Sequence, residues 1–216
     1  MNILIRPERP GEYRKTEHVI REAFWNVYLP GCTEHYLAHL LRGHSAFVPA
    51  LDLVAVHDGT IVGNSMCIRS VVQGDDGQSH EVLSLGPFSV LPGFQCRGIG
   101  GSLLEESKKR ARAMKFRAIL LFGDPAYYSR HGFAPAESLG IRTSGNQYTP
   151  AHQVCELSTG ALHGVRGRAL EDPVYAVDDT AVQDFDAQFP RKKKICGTES
   201  QKRFEMLLSL LRDAEV

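Results

Sequence analysis

Three glycines in four residues, Gly98, Gly100 and Gly101, stand between an apolar run ending at Leu91 and a helix-like segment that begins around Leu103. A Pro92-Gly93 break precedes them. Glycine lets the backbone approach a ligand closely, and the first turn of a helix carries unpaired N–H groups with a partial positive charge. A strand, a glycine turn and a helix in that order make a site for a phosphate or diphosphate. Two common versions do not fit. Gly98-Ile99-Gly100-Gly101-Ser102-Leu103 puts leucine where a dinucleotide fingerprint needs its third glycine, and no Gly-Lys-Ser/Thr closes the turn as a Walker A loop requires. Neither NAD nor ATP is favoured.

The bulk composition narrows the partners. The chain has 216 residues, 43% of them apolar and 23% charged, with formal charge zero. Such balance argues against a general nucleic-acid or anionic-membrane binder. No apolar run approaches ~18 residues, so no membrane span is expected. The start, Met1 to Pro7, lacks a signal-peptide pattern and reads as a strand. The five cysteines are widely spaced and form no CxxC pair, which suits reduced thiols and a cytoplasmic location. His35 and His39 share a helix face, but no HExxH motif or third ligand accompanies them, so no metal is expected.

The elements that must position the glycine turn follow from periodicity. Residues 3–6 read as a strand. Residues 12–28 show helical spacing through Val19, Ile20, Ala23, Phe24 and Val27. Thr33 is suited to cap a second helix burying Tyr36, Leu37, Leu40 and Leu41. A meander of three strands follows, at 51–57, 60–72 and 80–91, with Asp58-Gly59 and Gly74 to Gly77 as its turns. The helix after the glycine turn runs to about Met114. Its inward stripe is Ile99, Leu103, Ser107, Ala111 and Met114, with Lys108, Lys109, Arg110 and Arg112 toward water. Ala118 to Phe122 is a continuous apolar run of the kind a buried parallel strand shows. Residues 82–122 are therefore a right-handed β–α–β unit, in a mixed and mostly antiparallel sheet flanked by helices. Further strands are expected at 141–143 and 153–156. Residues 158–190 give no clear pattern. Thr198 and Gln201 form a capping box for a last helix with Phe204, Leu207, Leu208 and Leu211 on one face. The expected division is a domain of residues 1–157 and a C-terminal elaboration of residues 158–216 packed on it.

Gln95, Gly98 and Gly100 match Gln/Arg-x-x-Gly-x-Gly/Ala, and downstream Tyr127-Tyr128-Ser129-Arg130-His131-Gly132-Phe133 matches a Phe-Tyr-x-x-x-Gly-Phe element. In these two motifs the chain resembles the GNAT superfamily of acetyltransferases. The run from Gly123 to Tyr128, the stretch Gly31 to Tyr36 and the last helix also resemble one bacterial subgroup of it. The resemblance implies the acyl-CoA N-acyltransferase fold and transfer of an acetyl group from acetyl-CoA to a primary amine, by direct attack in a ternary complex. By position it implies that the diphosphate rests on the backbone of Cys96, Arg97, Gly98, Ile99, Gly100 and Gly101, with Gln95 also among the coenzyme-binding residues. Pantetheine would run beside Phe88, Ser89 and Val90, with the Val90 N–H as oxyanion donor. Tyr128 takes the family's general-acid position. Asp124-Pro125 shortens the usual lead into that tyrosine, so pantetheine contacts from that side stay open.

Direct attack needs a neutral amine, whose unperturbed pKa is near ~10.4, and hence a base or a water relay. Glu81 on the strand leading to the motif is the expected catalytic base, with His80, Glu34 and His35 as alternatives. The basic run Arg191 to Lys194 and the acids at Glu171, Asp172, Asp178, Asp179, Asp184 and Asp186 are expected to be solvated surface. The partners implied are acetyl-CoA and an amine, with no nucleic acid, membrane or metal; a homodimer is allowed. A non-catalytic acyl-CoA-binding or regulatory module on the same fold is the alternative, because fold alone does not fix function.

Overall fold

The computed structural model describes residues 1–214; the last two residues of the expected C-terminal elaboration lie outside the described residues. The strands are β1 (Leu4–Pro7), β2 (Leu53–His57), β3 (Thr60–Gly74), β4 (Ser79–Val90), β5 (Ala118–Phe122), β6 (Ala134–Pro135), β7 (Ile141–Arg142), β8 (Gln147–Tyr148), β9 (His152–Glu156), β10 (Gly167–Leu170) and β11 (Arg212–Asp213). The helices are α1 (Tyr13–Phe24), α2 (Glu34–Arg42), α3 (Ile99–Ala113), α4 (Pro125–Tyr128), α5 (Asp179–Asp186) and α6 (Glu199–Ser209). No helix among the described residues is long and apolar enough to cross a membrane.

Nine strands form one mixed sheet in the order β1-β2-β3-β4-β5-β9-β6. β10 pairs antiparallel with the far half of β3 and parallel with β7. The sheet therefore continues past residue 157 into the C-terminal segment. Only β4–β5 and β7–β10 pair in parallel; the rest is antiparallel. α3 covers one face, packing Leu104 and Ala111 against Leu83, Leu85, Ile119 and Leu121. α1 and α2 cover the other, with Ile20, Ala38 and Leu41 on Met66 and Ile68. A buried hydrogen bond between Ser65 Oγ and Ser107 Oγ, 2.9 Å, ties α3 to β3.

Several expectations are corrected. α1 stops at Phe24, because Asn26 turns left-handed (φ 63°) and its side-chain oxygen accepts from the Gly31 and Ile195 amides. α2 buries His35, Ala38 and the expected Leu41, while Tyr36, Leu37 and Leu40 are only half-buried, and Thr33 makes no side-chain cap. Instead Glu34 Oε2 accepts from the Thr33 N–H. Lys108 does not face water: it is 5% exposed, pairs with Glu105 and donates to the His131 carbonyl at 2.9 Å. Met114 just after α3 and Leu211 just after α6 are exposed, as is Leu208 on α6, which buries only Gln201 and Leu207.

An ion pair with a buried arginine ties the C-terminal segment to α1. Arg21, 1% exposed, donates to Asp186 of α5 at 2.6 Å, and the Arg14 guanidinium lies 3.6 Å from the centre of the Phe189 ring. Breaking a buried pair by removing one partner costs ~3–5 kcal/mol, against ~1 kcal/mol or less for a surface pair. Arg21 and Asp186 therefore anchor this segment far more than its surface charges do. The basic run is also docked: the Trp25 indole and Asn26 amide both donate to the Lys193 carbonyl, and Lys192 pairs with Glu22.

Candidate functional site

The site begins where two neighbouring strands part. β4 and β5 pair only at Leu83↔Ile119 and Ser84↔Leu120. Beyond Ser84, β4 keeps its β3 ladder through Phe88↔Ser65 and Val90↔Gly63 but has no β5 partner. The sequence explains the parting. Between the Leu85↔Cys67 and Phe88↔Ser65 pairs, β4 has two residues, Gly86 and Pro87, where β3 has only Met66. That extra residue is a bulge, which bends a strand, and proline is tolerated there because it need not donate to a ladder. The Leu91 N–H goes to Val62 of β3 at 2.8 Å. By the two-residue alternation of a strand, the Val90 N–H faces the opposite, open side.

The glycine turn lies at the end of this gap. Cys96 (φ 58°) and Gly98 (φ 81°) are both left-handed, which reverses the chain in a few residues before α3. Gln95 Nε2 donates to the Val90 carbonyl at 3.0 Å, fastening the turn to the strand. Among the described residues no acceptor takes the amides of Cys96, Arg97, Gly98, Ile99, Gly100 or Gly101; the first helical bond runs from Ser102 to Gly98. Those donors at a helix N-terminus suit an anion. A side chain at Gly98 would meet nothing within 4 Å, so the turn is open there. At Gly100 a β-carbon would collide with the Tyr127 hydroxyl, and at Gly101 it would come within 2.9 Å of the His131 ring. Both glycines thus let α4 and the following turn close over α3. Arg97 faces solvent, with its guanidinium 5.7 Å from the Phe94 ring centre.

Tyr128 borders the gap from the β5 side. Its ring packs against Phe88, Phe133 and Tyr127 and fills the space over Gly123. Its hydroxyl makes no hydrogen bond among the described residues, and the residue lines a cavity of about 270 Å³. Burial pushes this phenol above its ordinary pKa, so it keeps its proton through the neutral range. The cavity reaches from Phe88 and Tyr128 to Tyr28 of the α1–α2 loop, Glu34 of α2, and Leu170 and Tyr175 of the C-terminal segment. Tyr175 donates to Ser84 Oγ at 3.1 Å, where the strands part. No cysteine lines it.

The structure brings Phe88, Ser89, Val90, the turn Gln95–Gly101 and Tyr128 to one gap but leaves Glu81 out. Glu81 lies before the parting, exposed, with Arg69 donating to it at 2.8 Å. His80 is likewise outside, facing Arg117 at 3.2 Å. His35 is sealed beneath α5 between Cys32 and Asp186, and His39 faces Glu17. Glu34 of α2 lies in the cavity wall, and burial pushes its pKa up to about 7. His152 lies across the cavity, stacked 4.7 Å from Phe122, its pKa lowered to about 4 by burial and hence neutral. Glu171 and Asp172, read as solvated surface, line the cavity too. The sequence signal for the opening was Gly86-Pro87 inside an otherwise regular strand. Nothing in local spacing pointed to Glu171 or Tyr175.

The chain is similar to known acetyltransferases in sequence and in fold. A family model described as Acetyltransferase (GNAT) domain matches residues 49–135. The uncharacterized N-acetyltransferase YhbS of Escherichia coli K12 is 31% identical over 166 residues, covering 76% of this chain and 93% of that relative. The uncharacterized N-acetyltransferase YjhQ of the same strain is 35% identical over 100 residues, a match spanning only 54% of its length. The crystal structure of Escherichia coli YhbS in complex with CoA superposes with a TM-score of 0.73 at 26% identity, covering 82% of this chain and 93% of that one. A Brucella melitensis GNAT acetyltransferase in complex with acetyl-CoA gives 0.65 at 26% identity, covering 81% and 98%.

Proposed function

The chain belongs to the GNAT family of acetyltransferases and is an acyltransferase, and from that premise we propose that it moves the acetyl group of acetyl-CoA onto a primary amine by direct attack in a ternary complex. The observation that carries this reading is the parting of β4 and β5 after Ser84, with a free turn at one end and a phenol at its side. Unpaired amides from Cys96 to Gly101 take the diphosphate. Pantetheine fills the gap alongside Phe88, Ser89 and Val90, taking the place of β5 as a hydrogen-bonding neighbour.

The amine nitrogen attacks the thioester carbonyl carbon. The Val90 N–H donates to the oxygen as it gains charge. The C–S bond then breaks, and the leaving sulfur takes the Tyr128 proton, which solvent restores. The ammonium proton goes to Glu34, directly or through one water; a carboxylate whose pKa is about 7 is matched to that task near neutrality. Glu34 thereby replaces Glu81 in the role of base. The absence of any cysteine from the cavity lining supports transfer without an acyl-enzyme.

Free-thiol release from acetyl-CoA with amines present, compared with Tyr128→Phe, tests the reading. The variant should lose at least tenfold in kcat and keep its acetyl-CoA affinity. An unchanged kcat across the pH range would remove Tyr128 from the mechanism. Tight acetyl-CoA binding with no thiol released by any amine would leave a coenzyme binder instead.

A further inference from the structure

We propose that the acceptor is a small monocationic amine on an apolar, aromatic-sized body, selected by the cavity wall that the C-terminal segment contributes. This rests on the acetyl-transfer reading above and names the class of its second substrate.

Three observations carry it. First, the charge in the lining has one sign. Among the described residues Glu34, Glu171 and Asp172 border the cavity, and no lysine or arginine does. Its one histidine, His152, is buried and stacked on Phe122. Asp172 is partly engaged, accepting from the Val174 N–H at 3.0 Å and facing His44 at 3.4 Å. Glu171 has no ion-pair or hydrogen-bond partner among the described residues and stands at the exposed rim. An ammonium is drawn to such a lining, and a carboxylate, phosphate or sulfonate on the acceptor is repelled.

Second, the walls between these carboxylates are apolar and largely aromatic. Phe24, Tyr28, Phe122 and Tyr175 line the cavity with Leu37 and Leu170. Phe24 and Tyr28 stand 5.8 Å apart, centre to centre, as a tilted pair. Flat apolar bodies gain most from such surfaces, whereas Ser70, Ser84 and Ser144 offer few partners to a polyhydroxylated sugar.

Third, the volume is limited. About 270 Å³ is at the low end for small-molecule pockets, and part of it adjoins Tyr128, where the acetyl group must sit. An amine much smaller than a multi-ring aminoglycoside suits the remainder. Leu170, Glu171, Asp172 and Tyr175 close one side, so the segment after β9 makes the pocket small and acidic.

The test uses the full chain and acetyl-CoA with phenethylamine, butylamine, taurine, glutamate, kanamycin and a lysine-containing peptide. Phenethylamine should give the highest kcat/KM, at least tenfold above taurine and glutamate. Glu171→Lys should lower kcat/KM for phenethylamine at least fivefold at low salt, with the loss shrinking as salt rises and the acetyl-CoA KM unmoved. Calorimetry of phenethylamine against the CoA-saturated protein should give binding, independent of turnover. Preference for taurine, glutamate, kanamycin or the peptide overturns the substrate class while leaving acetyl transfer intact. A Glu171→Lys protein with unchanged phenethylamine kinetics, or no calorimetric binding, overturns it too. Thiol release with none of the amines overturns the acetyl-transfer reading itself, and the class with it.

Discussion

Arg203 of α6 grips Asp124 through two hydrogen bonds of 2.9 Å, Nε to Oδ2 and Nη2 to Oδ1. Asp124 also caps α4, accepting from the Ala126 N–H at 2.9 Å, and α4 carries Tyr128. The last helix therefore helps to set the position of a phenol far from it in sequence. Both side chains are partly exposed, so solvent screens the pair and it adds little to stability. Arg203→Ala should thus shift Tm by less than about 4 °C yet lower kcat severalfold. Arg203→Lys should restore only part of it, because an ammonium lacks the planar fork. Arg203 holds the Asp124 carboxyl below the usual carboxylate range. The pair's contribution is present above the unfolded carboxylate pKa and is lost as pH falls through the lowered folded value.

Glu34 should set the acid limb of the rate. Its pKa is pushed up to about 7 by burial, so the base form grows as pH rises through 7 and kcat/KM should climb with it. Glu34→Gln should flatten that limb and lower the plateau at least tenfold. The sign for stability is the reverse. A carboxyl with a raised folded pKa stabilises most below its unfolded pKa, and that stability is lost as pH rises toward 7. Glu34→Gln should therefore melt at least ~2 °C higher than the parent at pH 8, measured by calorimetry.

Gly100→Ala tests the turn. Its methyl would meet the Tyr127 hydroxyl and come within 3.2 Å of the Phe88 Cζ, so the Tyr127 or Phe88 ring must give way beside the proposed coenzyme position. Acetyl-CoA affinity should fall at least tenfold by titration. Gly93→Ala in the same loop meets nothing within 4 Å and should bind as the parent does.

Glu81→Gln should change neither KM nor kcat by more than about twofold. Its partner Arg69 is half exposed, and such surface pairs carry ~0–1 kcal/mol. A tenfold loss in kcat/KM would return Glu81 to the mechanism and displace Glu34.

The β–α–β unit around the glycine turn was legible because its signals are local: an apolar run, Gly98-Ile99-Gly100-Gly101, then a stripe at helical spacing. The capping box at Thr198 was readable for the same reason, since both partners lie within one turn. The base was not. Glu81 and Glu34 are both ordinary carboxylates in sequence; only the bulge at Gly86-Pro87 decides which region of β4 faces a cavity, and only α2 packing on β3 brings Glu34 there. Lys108 was read as solvated because its own helix gives no hint that the His131 carbonyl waits 2.9 Å from its amine. Strand β10 was missed because four residues pairing with a strand about a hundred positions earlier leave little periodicity to detect.

The cavity is walled by Phe24 and Glu34 near one end of the chain and by Leu170 and Tyr175 near the other. Loop-closure entropy makes such distant contacts among the last to form. During synthesis the glycine turn can be complete while this pocket still lacks a side, and Arg203 leaves the ribosome later still. Catalytic competence should therefore lag behind sheet assembly in a growing polypeptide, and acquisition of turnover marks the final docking event rather than the first collapse.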